Sequence, residues 1–222
     1  MSAPETVQAL LNDADWGRRL HGVEQCRQLA PTVAMNFLRE VMTDRNARVR
    51  YAAVSQLGNM VGLSAAEKQQ LLPLLRERLY GDSEADVQAA AADALAGLGL
   101  TEAYGDLERA YRESPEWLVK FSVIAGLGVL GDARAYPLLL EALDADIDLL
   151  KLAAIGALAD LGDMRAVPHL GELVNHPDWQ VRLRLAQALQ RLDGADAQAF
   201  LATLAQDEME VVAQAAQTTT IG

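Results

Sequence analysis

A dipeptide of Val-Arg type, followed eight residues later by a leucine, recurs along the chain: Val49-Arg50 to Leu57, Val119-Lys120 to Leu127, Leu150-Lys151 to Leu158, and Val181-Arg182 to Leu189. With Val87 and a weaker Val212 included, these markers are spaced by 38, 32, 31, 31 and 31 residues. A period in this range belongs to a stacked array, in which each unit buries its apolar face against its neighbours and function resides in a surface. Ahead of each marker lies a second apolar pattern of helical spacing, for example Leu71-Leu72-Leu75-Leu79, Leu138-Leu139-Ala142-Leu143 and Phe200-Leu201-Leu204. Each repeat is therefore a pair of helices. The longest interval carries an insertion around Val61 to Gln70.

The joints agree with this division. Gly131 and Gly162 stand where a helix ends in a left-handed residue, and Pro137 and Pro168 open the helices that follow. Pro115 and Pro177 are expected in the first turns of their helices, next to Glu116 and Asp178 at the positive end of the dipole. Asp13 to Pro31 reads as a degenerate first repeat with Leu20, Val23 and Leu29 on its inner face, and Thr218 to Gly222 is expected to fray. No run alternates with period two over a strand's length. The expected fold is all-α: a right-handed α-solenoid of about six helical pairs after that degenerate repeat, forming one domain over residues 1–222, with one helix of each pair lining a concave face.

Apolar residues make up 51% of the chain but aromatics only 5%, so the core has to be built from small side chains on closely packed helices. A formal charge of −12 repels phosphate backbones and anionic headgroups, which argues against nucleic acid as a partner. Cys26 is the single cysteine, so no intrachain disulfide can form, and a reducing cytoplasm is the expected setting. The N-terminus lacks the pattern of a signal peptide. The longest uncharged apolar run, Phe121 to Gly131, is shorter than the roughly 20 residues of a membrane span.

The basic residue after each marker could clamp a carboxylated ligand. On a helical wheel, however, it lies about 100° from the marker, beside the core. Asp44 precedes Arg50 by six residues, the spacing by which neighbouring repeats of this kind are stapled, and Ser114 and His176 keep a polar group at that place while Ala145 does not. This favours a structural ladder. Two residues after the marker come Tyr51, Ala89, Phe121, Leu152 and Leu183; two before it come Trp117 and Trp179. Nine residues on come Gly58, Ala96, Gly128, Ala159 and Gln190, nearly all small. Together they form a stripe that either packs repeat on repeat or floors a groove with aromatic anchors, and Trp16 extends it.

Other signals carry less. Gly126-Leu127-Gly128-Val129-Leu130-Gly131 spells a dinucleotide fingerprint, but the register puts it at the end of a helix, where the strand and helix N-terminus that such a motif needs are missing. His21, His169 and His176 are too scattered for a metal site. Cys26 is expected to fill the core; an exposed thiol beside Arg27 would instead be reactive. The acidic clusters Asp82-Glu84-Asp86, Asp144-Asp146-Asp148 and Asp207-Glu208-Glu210 fall at turns and lack calcium-loop spacing.

The short repeat resembles the HEAT-like repeats of phycobilin lyases. Asn46 to Leu57, with Asp44 before it, and Leu20 to Leu29 are similar to the cyanobacterial NblB-type, or non-bleaching, branch associated with phycobilisome turnover. The resemblance implies a relative of the E and F subunits of phycocyanin bilin lyases that serves in dismantling the antenna. It implies phycobiliprotein subunits as partners, with bilin (phycocyanobilin) as a transient ligand and no required cofactor, in the cytoplasm at the thylakoid-bound phycobilisome. No catalytic residue carries over.

Three functions follow: a non-enzymatic adaptor for phycobiliproteins, a bilin lyase or chromophore-detachment factor, and a general HEAT scaffold of the kind linked to iron-sulfur assembly. The candidate contact residues are Trp16, Tyr51, Trp117, Phe121 and Trp179, with Arg18, Arg19 or Arg50 holding propionates if a bilin is bound.

Overall fold

The structure, a computed structural model, describes residues 2–217. Among these there is no strand, and the helices run in pairs: α1 (Ala3–Leu11) with α2 (Trp16–Gln25), α3 (Pro31–Val41) with α4 (Ala47–Gly58), α5 (Ala65–Gly81) with α6 (Ala85–Gly97), α7 (Tyr104–Glu113) with α8 (Trp117–Leu130), α9 (Tyr136–Leu143) with α10 (Asp148–Leu161), α11 (Ala166–Gly171) with α12 (Trp179–Leu189), and α13 (Ala195–Leu204) with α14 (Glu210–Gln217). This is the all-α solenoid that the period implies, and each expected pair is present. Two compact units divide between Val123 and Ile124, inside α8. Thr218 to Gly222, expected to fray, lie outside the described residues.

The degenerate first repeat is a full pair, because α1 precedes the segment from Asp13 to Pro31. Ser2 and Glu5 form a capping box: the Glu5 N–H donates to the Ser2 hydroxyl at 3.5 Å, and the Ser2 N–H donates to the Glu5 carboxylate at 2.9 Å. Val7 and Leu11 of this helix are buried. Pro115 and Pro177 do not lie inside first helical turns but precede α8 and α12. The residue that caps α12, Asp178, must be extended (φ −80°, ψ 118°) so that its carboxylate can accept the Gln180 N–H at 2.8 Å, and this pushes the helix start beyond the proline. Gly131 and Gly162 adopt φ of 67° and 69°, the left-handed ends expected of them.

In the first unit the second helices of the pairs pack in sequence, α2 on α4 and α4 on α6, and in the second unit α10 packs on α12 and α12 on α14. Small residues set their separation. A Cβ built on Gly58 would stand 2.6 Å from the Ala94 Cα, and one on Gly128 would stand 2.6 Å from the Ala157 Cα. The alanines of α6, from Ala89 to Ala92 together with Ala94 and Ala96, are all buried. Leucine then fills the space between the two layers: Leu38, Leu57, Leu71, Leu75, Leu95 and Leu107 are wholly buried in the first unit, and Leu139, Leu158, Leu170, Leu185 and Leu189 in the second. The glycine fingerprint lies on the C-terminal half of α8, so its N–H groups up to Leu130 are spent inside a helix. Cys26 is fully buried, and burial pushes its thiol up to about 11, which makes it a core filler. No helix among the described residues is long and apolar enough to cross a membrane.

Because the Gly58 seam meets backbone, Gly58→Ala is expected to lower unfolding stability by about 1–3 kcal/mol, seen as a fall in urea midpoint at unchanged slope. At Gly105, in the first turn of α7, an added Cβ meets nothing within 4 Å, so Gly105→Ala should instead raise stability by up to about 1 kcal/mol.

Candidate functional site

The turns before six of the seven second helices are built on one plan, and the turn before α10, with Ala145 at the polar position, is the exception. A polar side chain accepts the N–H two residues on: Asp13 from Asp15 at 2.9 Å, Asp44 from Asn46 at 2.8 Å, Asp82 from Glu84 at 3.1 Å, Ser114 from Glu116 at 3.2 Å, His176 from Asp178 at 3.2 Å and Asp207 from Met209 at 2.8 Å. Six residues after the polar residue, a long donor reaches back to its carbonyl: Arg19 to Asp13 at 3.0 Å, Arg50 to Asp44 at 2.9 Å, Gln88 to Asp82 at 2.8 Å and Arg182 to His176 at 2.7 Å. The six-residue spacing is thus a link within one repeat.

The link between repeats uses the rest of the guanidinium. Arg19 grips the Asp44 carboxylate with two hydrogen bonds of 2.6 and 2.9 Å, Arg50 grips Asp82 with two of 2.7 Å, and Arg182 grips Asp207 with two of 2.6 and 2.9 Å. Each aspartate therefore receives the arginine of the preceding repeat. The side chains of Arg19 and Asp44 are only 7% and 8% exposed, and the Asp82 side chain is fully buried. Burial pushes the Asp44 and Asp82 carboxyls up, but the guanidinium and the turn N–H outweigh it, and both end below the ordinary carboxylate range. At Asp207 the bond from Arg182 is the largest influence, and the shift is again downward. Where the next repeat opens on Ser114, Ala145 or His176 instead of aspartate, the donor position holds Gln88, Lys120 or Lys151.

This places the candidate residues. The guanidiniums of Arg19 and Arg50, named above for propionates, are occupied by staples. Arg18 is exposed and pairs with Asp13 at 2.9 Å. Trp16, Trp117 and Trp179 each stand at the first residue of a second helix, 38%, 46% and 38% exposed, and Tyr51, in the second turn of α4, is 46% exposed. Phe121 is half-buried on α8. The stripe therefore divides: its tryptophans and Tyr51 are exposed and Phe121 is half-buried, whereas Gly58 and Ala96 in one unit and Gly128 and Ala159 in the other are buried.

In the first unit, Arg48 lies over the Trp16 ring at 5.4 Å from its centroid, and it shares with Tyr51 an open groove of about 390 Å³ between α4, α6 and the start of α8. Asp93 and Ser122 also line this groove. Neither belongs to the marker pattern or to the aromatic stripe. Their signal was a lone carboxylate after four alanines in α6 and a lone hydroxyl in the apolar run of α8. In the second unit the neighbours of Trp179 in register are apolar as well: Ile147 and Leu149 at the start of α10, and Met209 and Val211 at the start of α14, are exposed. Among the described residues no cluster of histidine, cysteine or carboxylates has a geometry that would hold a metal ion.

A family model for HEAT repeats matches residues 70–159 and 144–219, well over half of the chain. The chain belongs to the HEAT-repeat family. It is similar in fold to YibA of Escherichia coli, with a TM-score of 0.62 at 15% identity over 98% of this chain and 92% of that one. It is also similar to the complex of CpcE and CpcF of phycocyanin lyase from Nostoc, with a TM-score of 0.63 at 21% identity over 85% of this chain and 75% of that one. No curated protein matches the chain.

A staple that loses one partner leaves a buried charge, so Arg182→Ala should cost about 3–5 kcal/mol, and a double-mutant cycle with Asp207→Ala should give a large coupling energy. The folded pKa of each staple aspartate lies below its unfolded value. The stabilisation is therefore complete above the ordinary carboxylate range and is lost as pH falls through about 4 and then through the lower folded values. The melting midpoint should decline over that window, and Asp207→Asn should make the decline shallower.

Proposed function

We propose that the protein is a non-enzymatic adaptor that docks on phycobiliproteins in the cytoplasm during dismantling of the phycobilisome. The observation that carries this reading is the division of labour between the arginines and the aromatics. A bilin held for chemistry needs cations for its two propionates, and Arg19 and Arg50 are already committed to Asp44 and Asp82. The exposed rings of Trp16, Tyr51 and Trp117 in one unit, and of Trp179 in the other, have no such commitment to the core. Rigid aromatic anchors on a fixed scaffold suit a folded partner. The chain's excess of acidic over basic residues favours basic patches on that partner. The identity of the partner rests on the resemblance of Leu20 to Leu29 and Asn46 to Leu57 to the non-bleaching branch, and the similarity in fold to CpcE and CpcF agrees with it.

Purified protein should co-elute with phycobiliprotein on gel filtration and leave the absorbance of added free phycocyanobilin unchanged. Trp117→Ala and Trp179→Ala should each weaken co-elution by about ten- to a hundredfold with the melting midpoint retained. A bilin adduct or a red-shifted bilin band would replace the adaptor by the lyase reading, and loss of both interactions would leave only the general HEAT scaffold.

A further inference from the structure

Asp44 and Asp82, in turns of the first unit, are each answered by a guanidinium, whereas Asp93, inside α6, is not. It sits on α6 in the groove that α4 and residues 117–123 of α8 complete, and the Ser122 hydroxyl donates to its Oδ2 at 3.1 Å. Among the described residues no cation pairs with it. Asp93 is itself an exposed residue that opens onto the groove; partial burial of its carboxyl pushes it up, the Ser122 hydroxyl pulls it down, and the balance stays above the ordinary carboxylate value. The groove also carries Glu84 and Asp86 against the single cation Arg48, whose guanidinium lies over Trp16. Its apolar surface comes from the part-exposed Leu118 and the half-exposed ring of Tyr51, while Val87 and Ala90, which also line it, are buried.

We propose that this groove is a receptor for an arginine side chain presented by the docking partner. Three features of the groove match three parts of that side chain. The methylene stem finds the part-exposed Leu118. The planar head finds in Asp93 a carboxylate able to take two parallel hydrogen bonds. The face of the guanidinium finds the Tyr51 ring, on which an ammonium would stack less well. The excess of carboxylates draws a cation in and disfavours an anionic segment at the same place.

The inference rests on the docking reading for the source of the arginine, and its test needs no phycobiliprotein. Backbone amide shifts of the full chain are followed by NMR while N-acetyl-Gly-Arg-Gly-amide is added, with the citrulline and lysine tripeptides as controls. Saturable shifts centred on Tyr51, Asp93 and Ser122 are expected, about tenfold or more weaker with citrulline, which keeps the shape and loses the charge. They should be lost in Asp93→Asn. Where that variant fails to fold, Tyr51→Leu should weaken the arginine probe by about two- to fivefold. Equal response to citrulline or to lysine, shifts spread over the acidic turns, or no response overturns the assignment. Arginine binding without co-elution would sink the adaptor reading alone; co-elution without arginine binding would sink the groove alone.

Discussion

The guanidinium staple is the interaction on which the rest of this architecture depends. One arginine side chain satisfies carbonyl oxygens of the turn that precedes its own helix and then closes on the carboxylate of the next turn. Arg19 donates to both Asp13 and Ala14, and Arg182 donates to both His176 and Pro177. A buried carboxylate would be costly alone, and a buried guanidinium likewise; together, with the turn N–H as third partner, no buried side-chain nitrogen or oxygen among the described residues is left without a partner. The turns so held are the ones from which Trp16 and Trp179 project. The same bonds that align repeats therefore aim the candidate contact residues.

A second constraint comes from the close approach of the second helices. With glycine and alanine at the seams, their backbones come too near for a large ring to be accommodated between them, as the space around Gly58 and Gly128 shows. Leucine is taken up between the layers, and tryptophan is left at the helix starts, where no seam is formed. Exposed aromatics here are a consequence of the small-residue core as well as a resource for recognition. Groove and rim in the first unit are continuous in their chemistry: Arg48 covers Trp16 on one side and borders the Asp93 groove on the other.

Part of the detail beyond the repeat pattern also has a local signal in the sequence. Helix α1 announces itself through Ser2 and Glu5, an N-terminal capping box ahead of Val7 and Leu11, but it lacks the marker dipeptide by which the other repeats are recognised. Arg18 stands in the place of the apolar marker in the first repeat, which hid the fact that Arg19, six residues after Asp13, is a staple like Arg50 and Arg182. Pro115 and Pro177 were shifted by the capping geometry, a matter of two residues that periodicity does not resolve.

By itself the sequence determined the repeat, the pairing of helices, the glycine terminators and the placement of basic residues beside the core, because each of these is a local or periodic property of one chain segment. Only the tertiary structure decided which aspartate each arginine grips, that the aromatic and the small members of one stripe separate into surface and seam, and that Asp93 and Ser122 meet. A helical wheel orders residues by angle about one axis. It carries no information about how closely the next helix approaches, and that distance determines whether a side chain at a given angle is enclosed, paired or left to solvent.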